Sequence, residues 1–170
     1  MPVGVVLVND WSARDIQRLE YEPLGPFLGK SFATSISAWI TPLTALRGAR
    51  TSPPPQDPPP APYLTAKRPW LLDVRLEIEL NGTTIARPGA AGLYWTPAQM
   101  LAHLTVNGAR LSAGDLVATG TISGPHPGSE GSLAERFGGE RWLADGDEVV
   151  LRGRAGAIEL GETRGRVVAG

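Results

Sequence analysis

The chain has no cysteine and only two histidines, His103 and His126, among its 170 residues. The lack of cysteine excludes disulfide bonds, thiolate metal ligands and a cysteine nucleophile. Two histidines leave little room for a histidine-rich metal site, so any metal ion would be held mainly by oxygen. Oxygen ligands favour a hard cation such as Mg²⁺ or Ca²⁺, and the sequence does not distinguish these two.

The chain also lacks long apolar runs and any large excess of one charge. No stretch approaches the roughly eighteen apolar residues of a membrane span, and the N-terminus does not resemble a signal peptide. The formal net charge is -1, and no basic cluster is present to bind nucleic acid. These features predict a soluble cytoplasmic protein of one domain, without nucleic-acid or membrane partners.

Lysine is scarce, because only two of the 16 basic residues are lysine and the others are arginine. One of the two, Lys30, lies in a segment rich in polar residues. A compact ammonium group differs chemically from a planar guanidinium group. The choice of lysine in a chain that otherwise uses arginine therefore hints that position 30 requires an ammonium group.

The polar residues best suited to catalysis or ligand binding lie between positions 9 and 32. The apolar run over residues 3–8 predicts a buried strand, so Asp10 would lie where the chain leaves the core. Ser12 and Asp15 resemble a capping box, which predicts a short helix beginning at Ser12. The Gly-Lys-Ser tripeptide at 29–31 does not fit a phosphate-binding loop, because the spacing from Gly25 is one residue too short.

The predicted helix has two different faces. Helical periodicity places Ile16 and Leu19 on a face that would contact the core. The opposite face would offer hydrogen-bond donors and consists of Arg14, Gln17, Arg18 and Tyr21. From spacing alone, the commoner interpretation is that this polar face is only solvated and that Asp10 caps a turn.

The sequence pattern of the remaining chain predicts mostly strands and turns. We expect one strand between residues 32 and 46 with a turn at Pro42, and a rigid surface loop at 52–62, where seven of eleven residues are proline. Residues 73–80 alternate between apolar and charged, and Asn81-Gly82 predicts a type I′ turn into residues 83–85. The acidic face of this hairpin could suggest metal ligands, but a solvated sheet face is favoured.

One helix is indicated strongly, beginning after Thr96 and ending at Asn107-Gly108. Thr96 and Gln99 form a capping box with Pro97 at the first helical position. Met100, Leu101 and Leu104 would form its apolar stripe, and His103 is interpreted as a structural histidine rather than a general base.

Strands are also predicted at residues 116–122, 148–151 and 158–168, with a turn at Gly146. The fold class is therefore mainly β (α+β), a sandwich or roll with one or two short helices.

Two long motifs resemble one known family. The first reads Asn-Asp-Trp-Ser-Ala-Arg-Asp-Ile-Gln at 9–17 and continues as Glu-Tyr-Glu-Pro-Leu-Gly-Pro-Phe-Leu-Gly-Lys-Ser-Phe-Ala-Thr at 20–34. The second comprises residues 106–108, 114–116 and 120–125. In this order, both are similar to the fumarylacetoacetase family, and the match spans nearly the whole chain.

This resemblance implies a β-roll hydrolase that cleaves a carbon–carbon bond of 4-fumarylacetoacetate, the last step of tyrosine and phenylalanine catabolism. It further implies bound Mg²⁺ and/or Ca²⁺, a small diketo-acid substrate and a homodimer. A related acylpyruvate hydrolase is a further alternative, but Trp11 and the stretch at 21–28 favour the fumarylacetoacetase branch.

The resemblance also implies a role for particular residues. It makes Asp10 a metal ligand and places Lys30 and Thr34 at or next to the metal site. The implied catalytic residues are Arg14, Gln17 and Lys30, which surround the oxyanion, and Glu135, which would orient a catalytic histidine. The implied substrate-binding residues are Gln17, Tyr21 and Thr121.

The sequence departs from the family pattern in one respect. The family's catalytic histidine, three further metal carboxylates and small N-terminal β-domain have no counterpart here, and neither His103 nor His126 lies in the expected context. We therefore expect residues 1–170 to be a C-terminal catalytic-domain portion, either a fragment or a truncated gene product. The alternative is a non-catalytic remnant that keeps only the fold and the dimer surface.

Overall fold

The computed structural model describes residues 2–25 and 27–169, which form a mainly β fold with a few short helices, as the sequence predicts. The strands are β1 (Gly4–Val5), β2 (Val8–Asp10), β3 (Thr34–Ile36), β4 (Thr41–Pro42), β5 (Arg50–Thr51), β6 (Leu71–Leu72), β7 (Arg75–Leu80), β8 (Thr83–Ala86), β9 (Glu148–Ala155) and β10 (Ile158–Arg166). The α-helices are α1 (Arg14–Glu20), α2 (Leu28–Ser31), α3 (Pro97–Thr105) and α4 (Leu133–Arg136). Three short 3₁₀ helices cover Ala45–Ala49, Pro62–Leu64 and Ala90–Gly92.

The largest sheet has four antiparallel strands in the order β10-β9-β7-β8. Its β7–β8 hairpin confirms the predicted turn, because Asn81 and Gly82 both adopt positive φ values of 52° and 75°. The strands β9 and β10 confirm the predicted C-terminal strands. The remaining strands form three antiparallel pairs, β1 with β4, β2 with β3 and β5 with β6.

The charged face of the large sheet is a solvated surface held by ion pairs. Arg87 lies 2.9 Å from Glu77, and Arg152 pairs with both Glu79 and Glu162. The acidic residues of β7 are therefore paired with arginines, in agreement with the prediction of a solvated sheet face.

The hydrophobic core is small and brings together distant parts of the chain. Its buried members are Leu7, Leu46, Leu72, Val74, Ala90, Ala155 and Leu160. The predicted single strand at 3–8 is wrong, since the segment divides into β1 and β2 and only Leu7 is buried. These two short strands pair with different partners and are separated by Val6 and Leu7.

The single strand predicted between residues 32 and 46 is also wrong. The segment contains β3, β4 and the beginning of a 3₁₀ helix. The hydroxyl of buried Ser37 accepts a hydrogen bond from the amide of Leu7, which lies between β1 and β2. The proline-rich residues at 52–61 form no helix or strand, which confirms the predicted surface loop.

Helix α3 confirms its predicted N-terminus, because the Thr96 and Gln99 side chains form a capping box. The predicted apolar stripe is wrong. The buried residue of α3 is Gln99, which exchanges hydrogen bonds with Gln56 of the proline-rich loop, whereas Leu104 is 45% exposed. The ring Nδ1 of His103 lies 3.0 Å from the Tyr63 hydroxyl, and the structural role of this exposed histidine stays a prediction.

The strand predicted at residues 116–122 is not formed. Leu116 and Val117 are 54% and 40% exposed, and the segment has no strand partner among residues 2–25 and 27–169. Apolar and β-branched composition favours a strand only where a neighbouring strand accepts its backbone hydrogen bonds. Within the same described residues, no helix has the length and apolarity to cross a membrane, and the cellular compartment stays a prediction.

Candidate functional site

The polar segment after β2 differs from the prediction at the beginning of its helix. Helix α1 begins at Arg14 rather than Ser12, and no side chain caps its N-terminus. The hydroxyl of Ser12 instead accepts a hydrogen bond from Lys30 Nζ at 2.8 Å and donates to the Asp10 carbonyl oxygen at 3.2 Å. The capping box predicted for Ser12 and Asp15 is therefore wrong, and Ser12 is a site residue that the sequence did not identify.

Helix α1 also lacks the predicted apolar contact with the core. It contains no buried residue, and the side chains of Ile16 and Leu19 are 41% and 85% exposed. The helix packs against α2 instead of the core.

Gly29 allows this close packing of the two helices. The Ala13 amide donates to the Gly29 carbonyl oxygen at 2.9 Å, and Gly29 is the buried residue of α2. A Cβ atom on Gly29 would lie 2.7 Å from the Gln17 backbone nitrogen. Only glycine permits the α2 backbone to approach α1 this closely, which brings Lys30 to the edge of the site.

The three residues predicted at or near a metal are adjacent in the structure. Lys30 Nζ lies 2.6 Å from Asp10 Oδ2, and its ammonium group also contacts the Ser12 hydroxyl. Thr34 lies opposite Asp10 in the β2–β3 pair. The predicted grouping of Asp10, Lys30 and Thr34 therefore results from one strand pair and one short helix.

The predicted donor face of α1 lines an open depression of about 470 Å³. Arg14 Nη1 donates to Gln17 Oε1 at 2.8 Å, which fixes the two side chains relative to each other. The lining residues include Arg14, Gln17, Arg18 and Tyr21, and Tyr21 is 61% exposed. Arg14, Gln17 and Arg18 share one face of α1, as helical spacing predicts, and Tyr21 directly follows the helix. Leu19, which was predicted on the opposite face, also lines the depression.

A larger cavity of about 830 Å³ lies next to this depression. Its polar edge includes Asp10, Arg14, Lys30 and Thr121, so Thr121 joins the site from the irregular segment that was predicted to be a strand. Its apolar walls come from the sheets and include Leu72, Val74, Ile78, Leu151 and Leu160. The cavity can therefore enclose a small molecule with its polar end towards Lys30 and Arg14.

Glu135 lies on α4 and directly follows residues 131–134, which line this cavity. The hydroxyls of Ser123 and Ser132 donate to Glu135 Oε2 at 2.8 and 2.9 Å. Neither histidine is among the residues that line the cavity, and none of the described hydrogen bonds of Glu135 involves a histidine. The sequence did not identify Ser123 or Ser132, although Ser132 has the N-cap spacing from Glu135 that would have indicated one contact.

The donor set at Asp10 does not by itself fit a hard cation. Mg²⁺ and Ca²⁺ need several converging oxygen ligands, commonly more than one carboxylate. Over residues 2–25 and 27–169, no group of three or more histidine or acidic side chains could hold a metal ion. The Asp10 carboxylate is also already paired with the Lys30 ammonium.

Comparison with known proteins shows a consistent relationship. Residues 3–168 match the family described as "Fumarylacetoacetate (FAA) hydrolase C-terminal". The sequence is 46% identical to the fumarylacetoacetase of Bos taurus, 43% to that of Homo sapiens and 46% to that of Arabidopsis thaliana. Each alignment covers 97% of this chain but only 44–45% of the relative, so the chain spans less than half the length of these proteins.

Proposed function

The chain belongs to the fumarylacetoacetate hydrolase C-terminal family, and we propose that it acts in the hydrolysis of fumarylacetoacetate to fumarate and acetoacetate. The observation that carries this proposal is that Arg14 and Lys30 line one partly open cavity together with Asp10, while Arg14 also holds Gln17 through a hydrogen bond. Cationic and amide donors held at a cavity edge are suited to a substrate that develops negative charge on oxygen.

The reaction adds water across one carbon–carbon bond. The hydroxyl of water joins the carbonyl carbon, which becomes the carboxylate carbon of one product. The electron pair of the broken bond leaves with the neighbouring carbon, which then takes a proton. Both the tetrahedral oxyanion and the leaving carbanion need fixed donors, and one such donor is worth about 3 kcal/mol in hydrolases.

We assign these donor roles to three side chains. The Lys30 ammonium and the Arg14 guanidinium would face the oxyanion, because both line the larger cavity. Gln17 accepts from Arg14 through Oε1, and its amide nitrogen is the proposed donor to substrate. Tyr21 and Thr121 would contact the remainder of the substrate, one from each side of the site.

The proposed cation is Mg²⁺ or Ca²⁺, with Asp10 as one ligand and with Lys30 and Thr34 beside it. Its other oxygen ligands are not supplied by the described residues, so we assign no step of the reaction to the metal ion. Glu135 is the proposed orienting carboxylate for a general base. A positioned general base typically contributes 10²- to 10⁴-fold to a rate, and no histidine lines this cavity. We therefore expect this chain to turn over slowly.

A second candidate function is a non-catalytic homodimer that retains the fold. It is favoured by the pairing of His103 with Tyr63 and by the pairing of the Asp10 carboxylate with Lys30. Exposed apolar side chains such as Leu19, Leu24 and Leu28 offer a surface for such an association.

One assay separates the two candidates. The purified chain is incubated with fumarylacetoacetate and Mg²⁺ or Ca²⁺, and proton NMR quantifies fumarate and acetoacetate. The hydrolase predicts equimolar release above the rate without protein, reduced in Arg14→Gln but not in Arg68→Gln, whose side chain is exposed elsewhere. A folded protein without any release would contradict the hydrolase and favour the second candidate.

A further inference from the structure

The carboxylate of Glu20, the last residue of α1, binds the first backbone amides of α2. Glu20 Oε2 accepts hydrogen bonds from the Phe27 and Gly29 amides at 2.9 and 3.0 Å, and Oε1 accepts one from the Leu28 amide at 3.0 Å. These amides begin a helix and so have no carbonyl partner within it. One side chain therefore satisfies three donors of the segment that precedes Lys30.

Helix α2 has little else to hold it in place. Phe27, Leu28 and Phe32 are 59%, 69% and 60% exposed, and only Gly29 is buried in the helix. Burial of apolar surface therefore contributes little to the position of α2. Besides the Lys30 contacts with Asp10 and Ser12, its position depends on hydrogen bonds, one from Ala13 just before α1 and three to Glu20 at the end of α1.

The charge of the carboxylate suits this contact. The amide donors of Gly29, Phe27 and Leu28, with Gly29 the largest contributor, hold the pKa of Glu20 below its ordinary value. A glutamate is ionised at neutral pH even at its ordinary pKa, and hydrogen bonds to a charged acceptor are stronger than those to a neutral one.

We propose that Glu20 is a positioning residue, which holds α2 on α1 so that the Lys30 ammonium reaches Asp10 and Ser12. Lys30 directly follows Gly29, whose amide and carbonyl groups contact Glu20 and Ala13. A shift of the α2 backbone would move the Lys30 side chain away from Asp10, to which it is now joined at 2.6 Å. A catalytic role for Lys30 in this position rests on the proposed function, whereas the position of Lys30 itself does not.

The scarcity of lysine provides a direct test. Lys30 and Lys67 are the only two lysines, so limited acetylation followed by peptide mass spectrometry reports each rate separately, with exposed Lys67 as the internal reference. We expect Lys30 to react more slowly than Lys67 in the unaltered chain, because it is partly buried and bound by Asp10 and Ser12.

Substitution of Glu20 should remove this protection selectively. In Glu20→Ala the Lys30 rate should approach that of Lys67, while Glu20→Gln, which keeps one acceptor oxygen, should restore part of the protection. The matched control is Glu22→Ala, an exposed carboxylate two residues away, which should leave the ratio of the two rates unchanged. Amide hydrogen exchange of Phe27 to Gly29 reports loss of the anchor, and exchange in β9 reports the integrity of the fold.

The outcomes are distinct. Faster exchange at Phe27 to Gly29 with a protected β9 and an unprotected Lys30 would support the proposal. The same exchange pattern with Lys30 still protected would overturn it. If Glu20→Ala does not fold, Glu20→Gln decides, and an unchanged Lys30 rate in that variant overturns the proposal. The labelling requires no turnover. A result that overturns the proposal about Glu20 is therefore distinguishable from a result that contradicts the proposed hydrolase function.

Discussion

The indole of Trp11 lies against Gly165, and this contact joins the site segment to the four-stranded sheet. A Cβ atom on Gly165 would overlap Cζ2 of Trp11 and lie 3.1 Å from its Cη2 atom. On the other side, Trp11 Nε1 donates to the Ser35 hydroxyl at 2.9 Å. The residue directly after Asp10 is therefore held between β3 and β10.

Gly165→Ala should displace the indole and destabilise the protein. Overpacking a closely packed contact usually costs about 1–3 kcal/mol, and the added methyl group would meet a rigid ring. Urea denaturation measures the free energy of unfolding. Gly92→Ala is the control, because a Cβ atom there meets nothing within 4 Å. Equal stability of the two variants would show that Trp11 moves aside without cost.

Gly29→Ala should separate α1 from α2. The added Cβ atom would lie 2.9 Å from Gln17 Cα and 3.0 Å from the Ala13 carbonyl oxygen, both of which belong to backbone. We expect Lys30 to lose its contact with Asp10, which limited acetylation would detect as a faster Lys30 reaction. Gly48→Ala, at a position with open space, should not change the rate. An unchanged Lys30 rate in Gly29→Ala would contradict this packing argument.

If the chain hydrolyses fumarylacetoacetate at a measurable rate, Lys30→Met should lower that rate. If the ammonium stabilises charge that forms only in the transition state, kcat and kcat/KM should fall together by about 10²- to 10³-fold, with KM nearly unchanged. Lys30→Arg should be nearly as damaging, because a planar guanidinium fits a tight oxyanion site poorly.

The control for this experiment is Lys67→Met, which removes an exposed lysine elsewhere. Steady-state kinetics and circular dichroism are recorded for all variants. A rise in KM with kcat preserved would mean that Lys30 binds substrate and transition state equally. Full kcat in folded Lys30→Met would remove it from the catalytic residues.

Divalent cations should bind only weakly to this chain. One carboxylate already paired with lysine resembles the weakest protein sites, so we expect dissociation constants of about 1 mM or above for Mg²⁺ and Ca²⁺. Isothermal titration calorimetry measures these dissociation constants for the unaltered chain, for Asp10→Asn and for Asp73→Asn, an exposed control. Saturable micromolar binding that is lost only in Asp10→Asn would reveal additional ligands.

Asp147→Asn should destabilise the β7–β8 turn in a pH-dependent manner. Asp147 accepts hydrogen bonds from the Ala144 amide at 2.9 Å and from Asn81 Nδ2 at 2.7 Å. These donors, led by Ala144, hold the pKa of Asp147 below its ordinary value of 3.8. The contribution to stability is therefore present above pH 3.8 and is lost as the pH falls through the lower folded-state pKa.

Urea denaturation at several pH values checks this sign. The stability difference between the unaltered chain and Asp147→Asn should be largest near neutral pH and should shrink in acid. Asp145→Asn, an exposed neighbour in the turn before β9, should show no such trend. A difference that grows as the pH falls would refute the linkage.

Several elements could be predicted from the sequence because their determinants are local. The Asn81-Gly82 turn requires positive φ values that these residue types tolerate, and the Thr96 capping box needs only residues three positions apart. The shared face of Arg14, Gln17 and Tyr21 follows from helical periodicity alone. Family membership was also accessible, because the motifs at 9–34 and 106–125 are long.

Errors arose where a pattern required a partner distant in the sequence. Residues 116–122 have strand composition but no neighbouring strand within the described residues, and the apolar side of α1 faces solvent instead of the core. Periodicity identifies an apolar face, but it does not determine what covers that face.

The sequence by itself determined the Asn81-Gly82 turn, the Thr96 cap, the donor face of α1 and the family. Only the tertiary structure decided that Lys30 reaches Asp10 and Ser12, that Glu20 holds the α2 amides, and that Thr121 joins the same cavity. Helical periodicity and capping depend on residues a few positions apart. An ion pair or a shared cavity depends instead on how separate elements pack, and here that packing is set by a buried glycine and a single carboxylate.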